Sequence, residues 1–225
     1  VVFGDRHVLI LLGPPGAGKG TQAKVIEAEL SLPHISTGDM LRNAIAQKTS
    51  LGIEAKKAVD AGQLVTDEIV NGIVGERIEE IDCKYGFVLD GYPRNVSQAA
   101  AFNMNLGVRD KLWVIEIRIE IQRLIMRLTA RRTCEQCGEI YNLESRPPRE
   151  DGMCDKCGGE LLHRSDDKED IIRDRMETYR AETEPLAEYY RGEGVYLQID
   201  GTASIDGLTQ EIMSVVRGAV GAQGV

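Results

Sequence analysis

Apolar positions along the chain gather into short runs at His7–Leu12, Phe87–Leu89, Leu112–Ile117 and Val195–Ile199, with Pro33–Ile35 as a fifth and shorter one. The long segments between them carry apolar residues at helical spacing. Such alternation predicts a parallel sheet covered by helices on both faces. Helix starts are marked by Thr37 ahead of Gly38 and Asp39, by Thr66 ahead of Asp67 and Glu68, and by Asp166 and Asp167 ahead of a long charged helix. Short polar side chains cap unpaired amides there, and acids favour the positive end of the helix. Gly62 and Gly192 read as helix stops, and Pro185 should end or kink a helix near Glu184. Between Thr133 and Leu162, glycine, cysteine, proline and charge replace the periodicity, which marks a small insert. Gly218–Val225 reads as a loose tail.

The first run leads directly into Gly13-Pro14-Pro15-Gly16-Ala17-Gly18-Lys19-Gly20-Thr21, followed by a helix expected from near Gln22. Strand, glycine-rich loop, lysine and helix in this order suit phosphate. The glycines let successive N–H groups converge on phosphate oxygens, the helix start adds its positive end, and Lys19 adds a mobile charge. The general pattern places Ser or Thr directly after the lysine to hold magnesium, but here Gly20 stands before Thr21. Asp90, at the end of Phe87-Val88-Leu89, is a candidate for anchoring magnesium-bound water, with an ordinary turn-capping carboxylate as the alternative.

Composition narrows the partners. The chain has 225 residues, 42% of them hydrophobic, enough for a real core, and a net charge of −9. That charge argues against a nucleic-acid or anionic-membrane surface, so an anionic ligand requires locally concentrated basic residues. No signal-peptide pattern stands at Val1–Leu12 and no run approaches the roughly 20 apolar residues of a membrane span, so a cytoplasmic protein is expected. Cys134-x-x-Cys137 and Cys154-x-x-Cys157, 16 residues apart, have the spacing of a tetrahedral zinc site. Four thiolates leave no open position, so such a zinc is structural. Two disulfides are the alternative, disfavoured in a reducing compartment. Cys83 and Trp113 read as core residues, and His7, His34 and His163 receive no metal or chemical role.

Three further segments carry a resemblance. Ile35-Ser36-Thr37-Gly38-Asp39-Met40-Leu41-Arg42, Gly62-Gln63-Leu64-Val65-Thr66-Asp67-Glu68 and Leu89-Asp90-Gly91-Tyr92-Pro93-Arg94, with the Gly-Lys-Gly-Thr loop, resemble signatures of the adenylate kinases, in that family's order from about His7 to Asp206. The family is one of nucleoside monophosphate kinases, and the cysteines suit its long form with a zinc-binding lid. The resemblance implies a P-loop three-layer α/β fold with a five-stranded parallel sheet, a helical AMP-binding flap over 36–65 and a zinc-binding lid over 130–167, the core being 1–35, 66–129 and 168–225. It implies Mg2+ carried with ATP, held mainly by phosphates and waters, and a structural Zn2+.

It also implies site residues. The phosphates of ATP fall to Gly16, Ala17, Gly18, Lys19, Gly20 and Thr21. The AMP site falls to Thr37, Arg42, Gly91, Tyr92, Pro93, Arg94 and Gln98, with the backbone of Gln63, Leu64 and Val65 along the adenine. The arginines suit a phosphate dianion as planar forks, and Gln98 can pair a donor and an acceptor with an adenine edge. In the helical stretch expected over Glu120–Arg132, Arg123, Arg127 and Arg131 share one face. The resemblance assigns Arg127 and Arg131 to ATP, Arg164 and Arg175 to the phosphates near the reacting group, and Ile140, Tyr141 and the Gln198 backbone to the donor nucleotide.

The activity implied is reversible transfer of the terminal phosphoryl group of ATP to AMP, giving two ADP. Lys19, Arg94, Arg131, Arg164 and Arg175 would spread positive charge over the group in transit, since such a reaction needs positioning and charge more than a nucleophile. The working unit is expected to be a monomer. Two other readings stay open at this point: a kinase for another monophosphate or another donor, and a nucleotide-gated switch on the same loop.

Overall fold

The computed structural model describes residues 5–221. Residues 222–225 of the expected tail therefore lie outside the described residues, and 218–221 continue the last helix in place of a loose end. In chain order the elements are β1 (Arg6–Leu12), α1 (Lys19–Leu30), β2 (His34–Ser36), α2 (Thr37–Ala46), α3 (Ser50–Asp60), α4 (Asp67–Ile78), β3 (Gly86–Asp90) and α5 (Val96–Met104). There follow β4 (Asp110–Arg118), α6 (Ile121–Thr129), β5 (Arg131–Cys134), β6 (Ile140–Asn142), β7 (Leu161–Leu162), α7 (Glu169–Thr178), a π turn (Tyr179–Thr183), α8 (Leu186–Gly192), β8 (Tyr196–Asp200) and α9 (Ile205–Gly221).

The five apolar runs become one parallel sheet in the order β2-β3-β1-β4-β8. Successive side chains of β1 point to opposite faces, and both faces are covered, which is why the strand reads as continuously apolar. Val8, Ile10 and Leu12 pack with Val70, Val74, Phe102, Leu186 and Tyr190, from α4, α5 and α8. Leu9 and Leu11 pack with Ala23, Ile26, Leu124, Leu128, Ile172 and Ile212, from α1, α6, α7 and α9. The crevice beyond the carboxyl end of β1, where the chain passes to α1, is where sheets of this type bind ligands.

Two expectations about helices change. The helix after the glycine loop begins at Lys19, not near Gln22, because Gly18 takes a left-handed φ of 101° and turns the chain directly into the first helical turn. The stretch Glu120–Arg132 is helical only over Ile121–Thr129. Arg131 opens β5, paired with Asn142, so it shares no helix face with Arg123 and Arg127. The carbonyl of Ala130 is instead taken by the Leu143 amide, which draws the chain out of the helix. Pro185 acts as expected: α7 gives way to the π turn and α8 starts at Leu186.

β6-β5-β7 form a separate three-stranded antiparallel sheet over the inserted segment. On the other side of the crevice, α2 and α3 form a helical hairpin that packs tightly at Gly52. A Cβ at that position would lie 2.0 Å from the Ala44 carbonyl oxygen, which is backbone and cannot swing away. Gly52→Ala is therefore expected to cost about 1–3 kcal/mol as an overpacking substitution. Urea unfolding checks it, and an unchanged midpoint would mean that the two helices separate freely.

Candidate active site

A cleft of about 620 Å³ opens over the carboxyl ends of β1 and β3, between the α2–α3 hairpin and the small sheet. Its floor is the glycine loop. Gly16 and Gly18 have φ of 83° and 101°, a left-handed region that glycine enters without strain. Lys19 Nζ donates to the carbonyl oxygens of Gly13 (2.7 Å) and Pro14 (3.0 Å), so the ammonium lies folded over the loop. Burial pushes this lysine down to about 8; Asp90 works the other way, while Arg94, Arg175 and Arg131 add to the depression.

Asp90, at the end of β3, faces the same space. Burial would raise its carboxyl, but His34 and Lys19 outweigh burial and hold it below the usual range. His34 Nε2 stands 3.5 Å from Asp90 Oδ2. A Cβ at Gly20 would lie 3.1 Å from the same carboxylate oxygen, so glycine keeps the room beside Asp90 clear. An ionised carboxylate with free space at the loop fits an anchor for water on a hard cation.

Around this floor the arginines are held by carboxylates. Arg131 makes a bidentate pair with the wholly buried Asp167, Nε to Oδ2 at 2.8 Å and Nη2 to Oδ1 at 2.6 Å. Arg175 Nη1 donates to the Asp166 carbonyl at 2.8 Å and lies 3.1 Å from Asp166 Oδ2. Arg42 Nη2 meets Asp39 Oδ1 at 2.5 Å, and Arg164 Nη2 approaches the same oxygen at 3.8 Å while its Nε donates to Thr133 Oγ1. Burial would raise the Asp39 carboxyl, but Arg42 and then Arg164 hold it at about 2. Burial, then Arg175, pushes the Arg94 guanidinium down to about 10, and burial, then Arg131, pushes Arg164 to about 9. Both remain charged at neutral pH. Eight cations line the cleft, Lys19, Arg42, Arg94, Arg123, Arg127, Arg131, Arg164 and Arg175, against the four carboxylates of Asp39, Asp90, Glu144 and Asp166, so a chain of net charge −9 carries a positive interior here. That supplies the local basic concentration an anionic ligand requires.

Most sequence-derived candidates meet in this cleft. Gly16–Thr21, Thr37, Arg42, Gln63–Val65, Asp90, Gly91, Pro93, Arg94, Gln98, Arg127, Arg131, Ile140, Arg164 and Arg175 all line it. Tyr92 does not: its ring is buried against Phe102 and its hydroxyl donates to Asn71 Oδ1. Gln198 also lies outside the lining, on β8 beside Glu116, with Gly201 and Ala203–Ile205 reaching the cleft from that region. Tyr141 reaches the cleft's edge but is 3% exposed, its hydroxyl accepting from the Asp155 amide and standing 3.5 Å from Cys154 Sγ. Gln98 has both ends of its amide engaged: Oε1 accepts from the Arg94 amide and Nε2 donates to Asp67 Oδ1.

Sequence reasoning missed the carboxylates that orient the arginines. Asp166 and Asp167 are read there only as a helix-start signal, although their place between Arg164 and Arg175 is a trace of the pairing. His34, given no role, has no sequence signal that would place it against Asp90.

The four cysteines of the insert converge. Their sulfurs all lie within 4.8 Å of one another, with Cys134–Cys157 at 3.4 Å and Cys137–Cys154 at 3.6 Å. A tetrahedral zinc with bonds near 2.3 Å requires sulfurs about 3.8 Å apart, so the set fits that ion, and the disulfide alternative falls because all the thiols are free. The two halves repeat one turn: Gly138 N–H donates to Cys134 O and Gly158 N–H to Cys154 O. Among the described residues no helix is long and apolar enough to cross a membrane.

The family model described as adenylate kinase matches residues 11–195 of the chain. The chain is 50% identical to the adenylate kinase of Archaeoglobus fulgidus over 210 residues, covering 92% of this chain and 97% of that protein. Identity to the adenylate kinase of Thermodesulfovibrio yellowstonii is 49%, over 92% of this chain and 98% of the relative. For the adenylate kinase of Geotalea uraniireducens it is 46%, over 95% and 99%.

Proposed function

The chain belongs to the adenylate kinase family, and on that premise we propose that the cleft transfers the terminal phosphoryl group of magnesium-bound ATP in line to the phosphate of AMP, giving two ADP. The observation that carries this reading is the cage of Lys19, Arg94, Arg131, Arg164 and Arg175 around one buried space with a phosphate loop as its floor. A loose phosphoryl transition state carries its charge on peripheral oxygens, and a fixed shell of cations stabilises it without reorganising. No protein nucleophile is needed, because an AMP phosphate oxygen is already largely deprotonated at neutral pH, its second pKa being about 6.

The donor occupies the side of Gly16–Thr21, Arg127 and Ile140, with Tyr141 acting through the cysteine module and the chain near Gln198 giving way to Gly201–Ile205 beside the base. The acceptor occupies the side of Thr37, Arg42, Gln63–Val65, Gly91, Pro93 and Arg94, with Tyr92 and Gln98 supporting it from behind. Magnesium, when bound, neutralises donor phosphate charge, and Asp90 is the residue that would hold its waters. Residues 36–65 act as the flap over AMP and 130–167 as the lid over ATP; Asp39, which meets both Arg42 and Arg164, favours their joint closure. Closure excludes water and protects ATP from hydrolysis. Zinc on Cys134, Cys137, Cys154 and Cys157 holds the lid together. One chain supplies the whole cage, so a monomer in the cytoplasm would suffice for the reaction.

Phosphorus NMR of the purified protein with ATP, AMP and magnesium is expected to give ADP at a rate that collapses when UMP or CMP replaces AMP. Slow release of inorganic phosphate without an AMP requirement would replace this reading with a nucleotide switch.

Lys19 adds a protonation signature. At about pH 8.5 the free protein holds this lysine mostly neutral, its pKa lying near 8. Bound phosphates favour the ammonium, so ATP binding is expected to take up part of a proton there and almost none near pH 6.5. Calorimetry in two buffers of different ionisation enthalpy measures it, and proton release at the higher pH would contradict the assignment.

A further inference from the structure

Helix α7 does not run on into α8. Tyr179–Thr183 form a single π turn, closed by the Glu184 amide donating to the Tyr179 carbonyl at 2.9 Å. Pro185 supplies the local reason: it has no N–H for the carbonyl four residues back, and its ring excludes that carbonyl. A π turn inserts one extra residue and so rotates the downstream helix by about 100° relative to a continuous α-helix. Turns of this kind are frequent at functional sites.

The hydroxyls here are aimed away from their own helix. Thr178 Oγ1 donates to the Gly62 carbonyl at 3.2 Å, Tyr179 Oη to Glu116 Oε1 on β4 at 3.4 Å, and Thr183 Oγ1 to the Arg94 carbonyl at 2.6 Å. Ser and Thr in helices usually bond back to their own preceding turn, so two long-range threonine bonds from one short segment are informative. Glu116 is 6% exposed and also accepts from Tyr196, which ties the turn to the sheet. The far ends matter more. Gly62 is the residue before Gln63–Val65, which line the acceptor side of the cleft, and Arg94 is the buried guanidinium facing Arg175 and Lys19. Arg175 and Arg42 repel the Arg94 guanidinium while Asp90 and Asp166 attract it, and hydrogen-bond anchors on its backbone and side chain fix where it sits. Those are Gly91 O for Nε, Gln98 Oε1 for the amide and Thr183 for the carbonyl.

We propose that the π turn is a positioning device for phosphoryl transfer: Thr183 sets Arg94, Thr178 sets the start of the acceptor-lining segment, and the turn fixes the distance between them. This rests on the reading of Arg94 as acting on the group in transit. A misplacement of about 1 Å at a reacting centre can cost about 100-fold, so a single hydroxyl two residues from Pro185 has room for a large kinetic effect.

Steady-state kinetics with both substrates, paired with thermal melts, test it on Thr183→Val, Thr183→Ser, Thr178→Val and Arg94→Ala. Thr183→Val is expected to lower kcat by about 10- to 100-fold with both KM values within about twofold and Tm nearly unchanged. Thr183→Ser, which keeps the hydroxyl, is expected to recover most of that loss. Thr178→Val is expected to raise KM for AMP several-fold and leave KM for ATP alone. If a methyl in place of the hydroxyl unfolds the protein, Thr183→Ala is read in the same way. A folded Thr183→Val protein with normal kcat, beside an inactive Arg94→Ala protein, overturns the positioning role and leaves the role of Arg94 standing. Normal turnover in Arg94→Ala removes the underlying reading itself. A loss in Thr183→Val that serine does not restore shows packing, not the hydroxyl, and also overturns the proposal.

Discussion

Lys19→Met is expected to lower turnover by about 10³-fold while the protein stays folded. Methionine is unbranched and reaches nearly as far, and it removes the ammonium together with its two bonds to the loop carbonyls. Preorganised groups aimed at developing phosphoryl charge are worth about 10²–10³ each in turnover when removed singly, and this lysine is the cation of the phosphate loop. Stability moves differently. The folded pKa lies at about 8, below the ordinary lysine value, which means the fold disfavours the charged form through burial. Stability then rises with pH between about 8 and 10.5, where the unfolded chain holds the proton and the folded one does not. At neutral pH, removing the charge relieves that burial cost, offset by the two bonds to the Gly13 and Pro14 carbonyls. An unchanged or raised Tm with turnover near background is the expected pair of results. Turnover within tenfold of the parent in a folded variant would sink the assignment.

Removal of metal is expected to have the largest effect on stability. The inserted sheet has a buried cluster of only Cys134, Tyr141, Cys154 and Leu161, with Cys137 packed against it, far too little apolar surface to fold alone. In small modules of this kind the binding free energy of zinc is folding free energy, apparent values being about 10–16 kcal/mol. Even partial transmission to the whole chain, at about 2–4 °C per kcal/mol for a protein of this size, gives a drop in Tm of roughly 10 °C or more. Metal analysis should find about one zinc per chain. Chelation with mild heating should release it, expose the four lid thiols to a thiol reagent and produce the lower melting point, and Cys154→Ser should reproduce that melting point. Enzyme that retains its metal should keep its kcat, because four sulfurs close the shell and leave no position for substrate. A metal-free protein with an unchanged melting curve would contradict the site.

The cysteine pairs, the glycine loop and the strand pattern were legible because each is a local spacing rule. Cys134-x-x-Cys137 needs only one turn to bring two sulfurs together, and Gly13–Lys19 needs only a strand before it and a helix after it. The arginine groups were legible as candidates but not as geometry. Arg131 looks like the next turn of α6 by its spacing, yet it sits in β5, where the bidentate partner Asp167 is 36 residues away. Tyr92 belongs to a recognisable motif, but its side chain points into the core, since neighbours on a turn face opposite ways and Gly91 and Pro93 already face the cleft.

By itself, then, the sequence determined the main sheet, the family and the chemistry on offer: the five strands of that sheet, a phosphate loop, two thiol pairs and an excess of arginine near the motifs. These rest on interactions within a few residues, where backbone periodicity and capping leave a direct imprint. Only the tertiary structure decided which carboxylate orients which arginine, that His34 stands against Asp90, and that Thr183 reaches Arg94 across 89 residues of chain. The physical reason is that a hydrogen bond or an ion pair demands a partner at about 3 Å in a particular direction. That partner is brought up by the packing of helices on both faces of the sheet, on which no local pattern leaves a mark.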